Sequence, residues 1–251
     1  NFLMENDLKI LIFFYNIMNL LEYDLNDLPE NPAIICSGKR RSGKNFLTRD
    51  LCYNFFRGKI DQVFLFSPTA EIAINAVDFV PYEYRYSEYD IDVIDRILKR
   101  QEYLIRQNQK DTKKHRILLI LDDLQASNDG KKRRHIEKLF LTARHFRVSL
   151  IVNFQFPKVD MSPAIRDNVD VVFVFQQNNF NNKELFALQY LSTSENKNDG
   201  YDLINKYATG YQTLVISNTE VSSNYQDYCF YYTADDVPQK FKLGKEYFQY
   251  S

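Results

Sequence analysis

The stretch "SGKRRSGKNF" constrains this chain of 251 residues more than any other feature. Gly38 is followed by four residues and then by Gly43 and Lys44, which is the spacing of a phosphate-binding loop. The apolar run 31–38 predicts a buried strand before the loop, and apolar residues at helical spacing over 44–56 predict a helix after it. At such a junction backbone N–H groups and the helix N-terminus face the phosphates. The competing interpretation is a glycine turn with an exposed lysine.

The residue after the lysine departs from the usual pattern. Ser or Thr is expected there, because its hydroxyl binds Mg²⁺, but the chain has Asn45. An amide oxygen can bind Mg²⁺ from a longer side chain, so we expect weaker coordination with nucleotide binding retained. Arg40 and Arg41 add positive charge near the phosphates and are expected to offset part of that loss. The predicted nucleotide-binding residues are Gly38, Lys39, Arg40, Arg41, Ser42, Gly43, Lys44 and Asn45.

Two carboxylates close a strongly apolar run, "RILLILDDL", over residues 116–124. A phosphate-loop enzyme needs a carboxylate at the end of a neighbouring strand to hold the Mg²⁺ shell, and we assign Asp122 this role together with Asn45. The following acid often orients or deprotonates the attacking water, which is the role expected of Asp123. Alone, the pair is a weak signal, since strands often end in turn-forming Asp.

Other polar residues follow later elements. Gln155 ends the next predicted strand, which brings it to the edge of a parallel sheet that holds Lys44 and Asp123. We expect it to contact the γ-phosphate or the water, or else to face solvent. Arg144 and Arg166 are candidates for a charge-stabilising arginine that acts across a subunit interface, with a surface salt bridge as the alternative. The basic run 130–135 can contact a DNA backbone or be a solvated helix start.

Strands and helices alternate along the chain. Further buried strands are predicted at 62–68, 116–124, 148–155 and 170–176, and helices at 91–105, 132–146 and 162–168. Continuous apolar strands belong to a parallel sheet covered on both faces, so the fold class is α/β. The region 181–207 looks helical, and 211–218 and 225–234 predict a hairpin or added edge strands. We expect one domain over 31–251, preceded by a helical segment over 1–30.

Bulk properties exclude some classes of protein. The net charge is −1, so binding to nucleic acid requires local basic patches. Three widely spaced cysteines and three histidines argue against a disulfide framework or a zinc site. The apolar segment 8–23 is interrupted by Asn16 and Asn19, is too short for a membrane span and lacks the flanks of a signal peptide, so we expect it to dock on the core or on a neighbouring subunit.

Taken in order, the segments "SGKRRSGKN", "VFLFSPT", "LLILDDL", "LTARHFRVSLIVNFQ", "SPAIRDNVDVVFVF" and "FKLGKEYF" resemble the packaging ATPases of large DNA viruses and their relatives in the FtsK–HerA superfamily of P-loop translocases. The resemblance covers residues 33–248, and Asn45 and the Arg40–Arg41 pair depart from it. It implies a RecA-like P-loop NTPase fold of the type with an additional catalytic strand. It also implies ATP and Mg²⁺ as cofactors, Gln155 as the sensor residue, and Arg144 and Arg166 as stronger candidates for the trans-acting arginine.

The function implied is hydrolysis of ATP by a homo-oligomeric, hexameric ring that moves double-stranded DNA into a capsid. Capsid proteins are then expected partners, and the host cytoplasm or the virion is the expected location. Three alternatives stay open at this point. They are a nucleotide-binding assembly factor with weak or no hydrolysis, a cellular or plasmid DNA translocase of the same superfamily, and a small-molecule kinase.

Overall fold

The computed structural model describes residues 19–70, 77–107, 114–123, 129–191, 198–220, 222 and 224–248. Eight strands form one sheet: β1 (Ala33–Ser37), β2 (Gln62–Phe66), β3 (Arg85–Tyr86), β4 (Ile117–Asp122), β5 (Val148–Phe154), β6 (Val171–Val174), β7 (Gln212–Ser217) and β8 (Cys229–Thr233). The α-helices in the described ranges are α1 (Lys44–Asp50), α2 (Ile91–Gln107), α3 (Gly130–Thr142), α4 (Pro157–Asp160), α5 (Pro163–Arg166), α6 (Phe180–Gln189) and α7 (Asn198–Tyr207).

The order of strands in the sheet is β3-β2-β4-β5-β1-β6-β7-β8. The first six of these strands are parallel, and β7 and β8 extend the sheet as an antiparallel pair next to β6. Every residue of β1, β2, β4, β5 and β6 is buried. This burial accounts for their largely apolar sequences, and the topology confirms the predicted α/β class with added C-terminal strands.

Alternate residues of each central strand pack into two hydrophobic layers, one on each face of the sheet. In β1, Ala33 and Ile35 join the cluster on one face of the sheet, whereas Ile34 and Cys36 join the cluster on the other. This period of two is inherent to a strand, and burying both sets requires helices on both faces. The central position of β1, with β5 on one side and β6 on the other, fixes where the loop after it lies.

Several boundaries refine the predictions. The helix expected over 44–56 begins as α1 and continues as a π-helix over Leu51–Phe56. α3 begins at Gly130, two residues before the predicted start, because the carboxylate of Asp129 accepts hydrogen bonds from the first backbone N–H groups of the helix. The three cysteines, Cys36, Cys52 and Cys229, are free and buried.

The helical segment predicted over 1–30 lies largely outside the described ranges, which begin at residue 19. Residues 19–24 contain no helix, and a short 3-10 helix follows at Leu25–Asp27. Glu22 forms a β-bridge with Tyr231 of β8, and the backbone N–H of Tyr23 donates to the carbonyl of Tyr231 at 2.8 Å. Within the residues described, no helix combines the length and the apolar composition needed to cross a bilayer.

Candidate nucleotide-binding site

The glycine loop connects β1 to α1 at the carboxyl edge of the parallel strands. Gly43 has a φ of 106°, a left-handed value that glycine adopts without strain, and it stands at the N-cap of α1. A Cβ atom at Gly38 would come within 2.8 Å of the Cβ of Phe175, so a side chain there would collide with the core. The N–H of Gly38 donates to the carbonyl of Phe154 at 3.1 Å, which ties the loop to β5. Both glycines of the motif are therefore required by the local geometry.

Lys44 is buried at the start of α1. Its Nζ donates to the carbonyl oxygens of Gly38 at 2.6 Å and of Lys39 at 2.9 Å, so the ammonium group lies across its own loop. Burial lowers the pKa of Lys44, and the negative charges of Asp122 and Asp123 act in the opposite direction. The ammonium group thus lies against the loop backbone and is influenced by the charge of the two carboxylates.

Asp122 ends β4 and is held by side chains from two neighbouring strands. Nδ2 of Asn153 donates to its Oδ1 at 2.9 Å, and Oγ of Ser67 donates to its Oδ2 at 3.1 Å. Asn153 is paired with Asp122 in the register of β4 and β5. The amide of Asn153 also hydrogen-bonds the hydroxyl of Thr48 in α1, with a distance of 3.3 Å from Nδ2 to Oγ1. This network fixes the carboxylate against the helix that follows the loop.

Asp123 lies one residue beyond the end of β4, with a φ of 51°. A left-handed backbone is uncommon for residues other than glycine and is tolerated best by Asn and Asp. The turn directs the carboxylate toward β5, where Nε2 of Gln155 donates to its Oδ1. Gln155 therefore orients Asp123 in this structure, and its amide stands beside the predicted catalytic carboxylate.

These groups open on one cleft of about 800 Å³. Its lining includes loop, acidic and strand-end residues: Arg40, Arg41, Gly43, Lys44, Asn45, Phe46, Thr69, Asp122, Asp123, Gln155 and Tyr211. The cleft thus brings together the side chains predicted to act within one chain: Lys44, Asn45, Asp122, Asp123 and Gln155. The lining thus combines basic residues of the loop with the acidic pair at the end of β4, which suits an anionic ligand with a divalent cation.

The residues present are suitable for Mg²⁺. The cleft offers oxygen atoms from Asp122, Thr69 and Asn45, and Mg²⁺ prefers such ligands. In the described parts of the chain no group of three or more His, Cys, Asp or Glu residues could hold a metal ion by protein ligands alone. In proteins Mg²⁺ is commonly held by one or two carboxylates together with substrate phosphates.

Arg144 and Arg166 lie at the opposite edge of the sheet. Arg144 precedes β5, forms an ion pair of 3.8 Å with Asp170, and donates from Nη2 to the carbonyl of Asn168 at 3.3 Å. Nη1 of Arg166 donates to the carbonyl of Met161 at 2.9 Å. Because both arginines stand near the amino ends of the strands, the structure does not bring either to the nucleotide cleft of its own chain.

The predicted basic run forms the first turn of α3. Lys131 and Arg134 are exposed, whereas Arg133 pairs with Glu137 at 3.5 Å. The run is therefore a solvated helix start in the chain alone, and DNA contact remains a prediction.

Sequence reasoning missed four polar residues of the site: Thr48, Ser67, Thr69 and Asn153. Ser67 and Asn153 stand at or just after the ends of β2 and β5, and both contact Asp122. The available signal was their position, since polar residues at the carboxyl ends of apolar strands meet at one edge of a parallel sheet. Their mutual contact depends on the strand order, which the sequence does not specify.

Known proteins resemble this chain in sequence and in fold. The family model described as "Poxvirus A32 protein" matches residues 21–250. An uncharacterised protein of Acanthamoeba polyphaga mimivirus, L437, is 27% identical over 241 residues, which cover 94% of this chain and 83% of that protein. Among solved structures, the genome packaging NTPase B204 of Sulfolobus turreted icosahedral virus 2, in complex with sulfate, superposes with a TM-score of 0.57 at 15% identity, covering 83% of this chain and 98% of B204.

A second solved structure is the pCW3 conjugation coupling protein TcpA, in its monomer form with ATPγS. It superposes with a TM-score of 0.53 at 13% identity, covering 86% of this chain and 70% of TcpA. At these identities the likeness concerns the fold, which is that of the P-loop NTPases.

Proposed function

The chain belongs to the poxvirus A32 protein family, and on that premise we propose that it is an ATPase whose hydrolysis of ATP moves double-stranded DNA into a viral capsid. The observation that carries the proposal is the convergence of Lys44, Asp122, Asp123 and Gln155 on one cleft beside a glycine loop. The chain shares its fold with a viral genome packaging NTPase, and this likeness supports the proposed packaging role. In that role the protein acts in the host cytoplasm or in the virion.

The proposed roles follow from where each group lies. Backbone N–H groups of residues 38–45 bind the phosphates, and Lys44 exchanges its carbonyl partners for the β- and γ-phosphates. Asp123 accepts a proton from the attacking water, while Gln155 holds that carboxylate and senses the γ-phosphate. Asp122, with Asn45 and Thr69 nearby, would hold Mg²⁺, which when bound neutralises charge on the β- and γ-oxygens.

The site also needs a positive group to stabilise the charge that develops on the transferred phosphoryl group. Arg144 and Arg166 lie at the opposite sheet edge of their own chain, so in this proposal one of them serves the cleft of an adjacent subunit in a ring. Hydrolysis then depends on subunit contact, which links each turnover to the geometry of a homo-oligomer around DNA.

The experiment that tests the enzymatic part measures ATP binding and hydrolysis by the purified protein with Mg²⁺. We expect turnover that is lost in Lys44→Ala and in Asp123→Asn, with ATP binding lost only in the first. Lys138→Ala, an exposed lysine on α3, is the matched control and should behave like the unchanged protein. Hydrolysis that persists in Asp123→Asn would contradict the assigned base.

A second candidate function is favoured by one observation, the amide side chain of Asn45 at the position where a hydroxyl is usual. The protein would then be a nucleotide-binding assembly factor with weak or no hydrolysis. ATP binding that depends on Lys44, without turnover in the presence of DNA and Mg²⁺, would select this candidate over the motor.

A further inference from the structure

An apolar pocket of about 490 Å³ lies on the other side of the glycine loop from the acidic residues. We call it the aromatic pocket. Its lining residues come from the loop, α1 and the strands β7 and β8: Gly43, Phe46, Leu47, Phe175, Tyr211, Thr213, Thr233 and Ala234. Gly43, Phe46 and Tyr211 also line the nucleotide cleft, so the two spaces adjoin at the loop.

The strand order assigns opposite ends of a bound nucleotide to the two sides of the loop. Asp122, Asp123 and Gln155 follow β4 and β5, which lie on one side of β1. They mark the γ-phosphate end, because the reactive phosphate must meet the carboxylates. The remainder of the nucleotide therefore extends past the start of α1 toward β6, β7 and β8, where the aromatic pocket lies.

Two rings that line this pocket are exposed to solvent. Phe46 is 44% exposed and Tyr211 is 74% exposed, whereas Phe175 is buried in its wall. The loop lies close to two of the rings at Gly43, because a Cβ atom added there would stand 3.2 Å from the rings of Phe175 and Tyr211. Tyr211 and Phe175 therefore lie next to the loop, and Phe46 lines the same pocket, at the place where a planar group attached to the phosphates would arrive.

The pocket offers few polar side chains to read the edge of a base. The hydroxyl of Thr213 donates to the carbonyl of Tyr232 at 3.0 Å, so its proton is already used in a hydrogen bond within the sheet. Thr233 is exposed at the rim, and the other side chains of the lining are apolar or aromatic. A hydrophobic surface of this kind binds by area and discriminates weakly between ligands of similar shape.

We propose that the aromatic pocket binds the purine base of the nucleotide by stacking on Phe46 and Tyr211, with little discrimination between adenine and guanine. The inference rests on the proposed function, since it names the base site of the same nucleotide. Removing one stacking ring is expected to weaken nucleotide binding by about 5- to 100-fold. ATP and GTP should bind within about tenfold of one another, because hydrogen-bond readout of the base edge is what produces larger ratios.

The test compares ATP with inorganic tripolyphosphate, which carries the phosphates but no base. Dissociation constants with Mg²⁺ are measured by calorimetry for the unchanged protein, Phe46→Ala, Tyr211→Ala, and the control Tyr103→Ala, an exposed tyrosine on α2. We expect the two pocket variants to lose ATP affinity while tripolyphosphate affinity and the control are unchanged. Tyr211→Phe should retain ATP binding, because stacking needs the ring and not the hydroxyl.

Three results would overturn the inference. ATP affinity that is unchanged in both pocket variants would place the base elsewhere. If those variants also failed to assemble into a ring, the pocket would be a contact site for a second subunit. Equal losses for ATP and tripolyphosphate would mean that the substitutions disturb the loop. A discrimination between ATP and GTP of more than a hundredfold would contradict binding by stacking alone. Failure of the proposed function looks different: neither ligand would show binding that depends on Lys44.

Discussion

Asn153 donates a hydrogen bond of 2.9 Å from Nδ2 to Oδ1 of Asp122, and this contact joins two neighbouring strands at the edge where the glycine loop lies. The same amide hydrogen-bonds the hydroxyl of Thr48 at 3.3 Å, in the helix that begins with Lys44. The carboxylate proposed to hold the cation and the helix that carries the phosphate-binding lysine are therefore positioned by one side chain.

Replacing Asn153 by Ala should lower both stability and turnover. The substitution removes the Asn153 hydrogen bonds to Oδ1 of Asp122 and to the hydroxyl of Thr48, both buried, which costs about 1–3 kcal/mol in the free energy of unfolding. We expect the rate of ATP hydrolysis to fall about tenfold or more, equivalent to about 1.4 kcal/mol in the barrier, with ATP affinity little changed. Urea unfolding and steady-state kinetics measure the two effects. Ser149→Ala, four residues earlier in the same buried strand, is the control and should retain activity.

Asn45 gives a prediction about the cation. Asn45→Thr restores the hydroxyl that usually binds Mg²⁺ after the lysine, so the Mg²⁺ concentration at half-maximal hydrolysis should fall several-fold, roughly 3- to 10-fold. Asn45→Ala removes the amide oxygen and should raise that concentration. A magnesium titration of hydrolysis rate at saturating ATP distinguishes the three proteins. Identical titrations would show that residue 45 contributes nothing to the cation site.

The arginines can be tested by mixing subunits. Arg144→Ala and Arg166→Ala each leave the nucleotide cleft of their own chain intact, whereas Lys44→Ala damages the cleft and leaves the arginines. If an arginine acts in trans, its Ala variant and Lys44→Ala should each be inactive alone. A mixture of these two variants should regain part of the ATPase activity. Thermal unfolding of each single variant shows whether the fold is retained. An arginine variant that keeps full activity alone has no role in hydrolysis.

Asp160 gives a prediction about pH. This carboxyl is buried near Asp123, and burial raises its pKa from 3.8 to about 6, while the nearby negative charge of Asp123 adds to the increase. A raised pKa means that the folded state binds the proton more tightly than the unfolded state, so this contribution is present below pH 4 and is lost as pH rises through 6. Asp160→Asn should therefore stabilise the protein at pH 8, by at most about 3 kcal/mol, with the gain disappearing toward pH 4.

Denaturant unfolding of the two proteins between pH 4 and pH 8 measures this difference. Asp236→Asn, an exposed acid, serves as the control. A stabilisation by Asp160→Asn that is independent of pH would show that titration of this carboxyl is not its source.

The features that could be predicted from sequence are those that local pattern determines. β1, the loop and α1 follow from an apolar run, two glycines and a helical period. Asp122, Asp123 and Gln155 could be assigned because each follows an apolar strand, and parallel strands bring their carboxyl ends to one edge. The alternation of strands and helices gave the α/β class for the same reason.

Other features depend on long-range pairing and could not be read from the sequence. The contacts of Ser67 and Asn153 with Asp122 require β2, β4 and β5 to be adjacent, which the order of elements along the chain does not imply. The aromatic pocket requires β7 to turn antiparallel beside β6, so that Tyr211 arrives next to Gly43. Near the start of the described chain, Glu22 and Tyr23 pair with the edge of β8, a contact between residues that are distant in sequence.

The central claim is that hydrolysis in this cleft moves double-stranded DNA. The most direct measurement is displacement of a fluorescent third strand from a triplex at the end of a linear duplex, with the rate of ATP hydrolysis recorded in the same reaction. The account predicts that DNA stimulates hydrolysis and that the third strand is released with ATP, but not with a non-hydrolysable analogue and not by Asp123→Asn. Hydrolysis that depends on Lys44 but is indifferent to DNA, with the third strand retained, would contradict it.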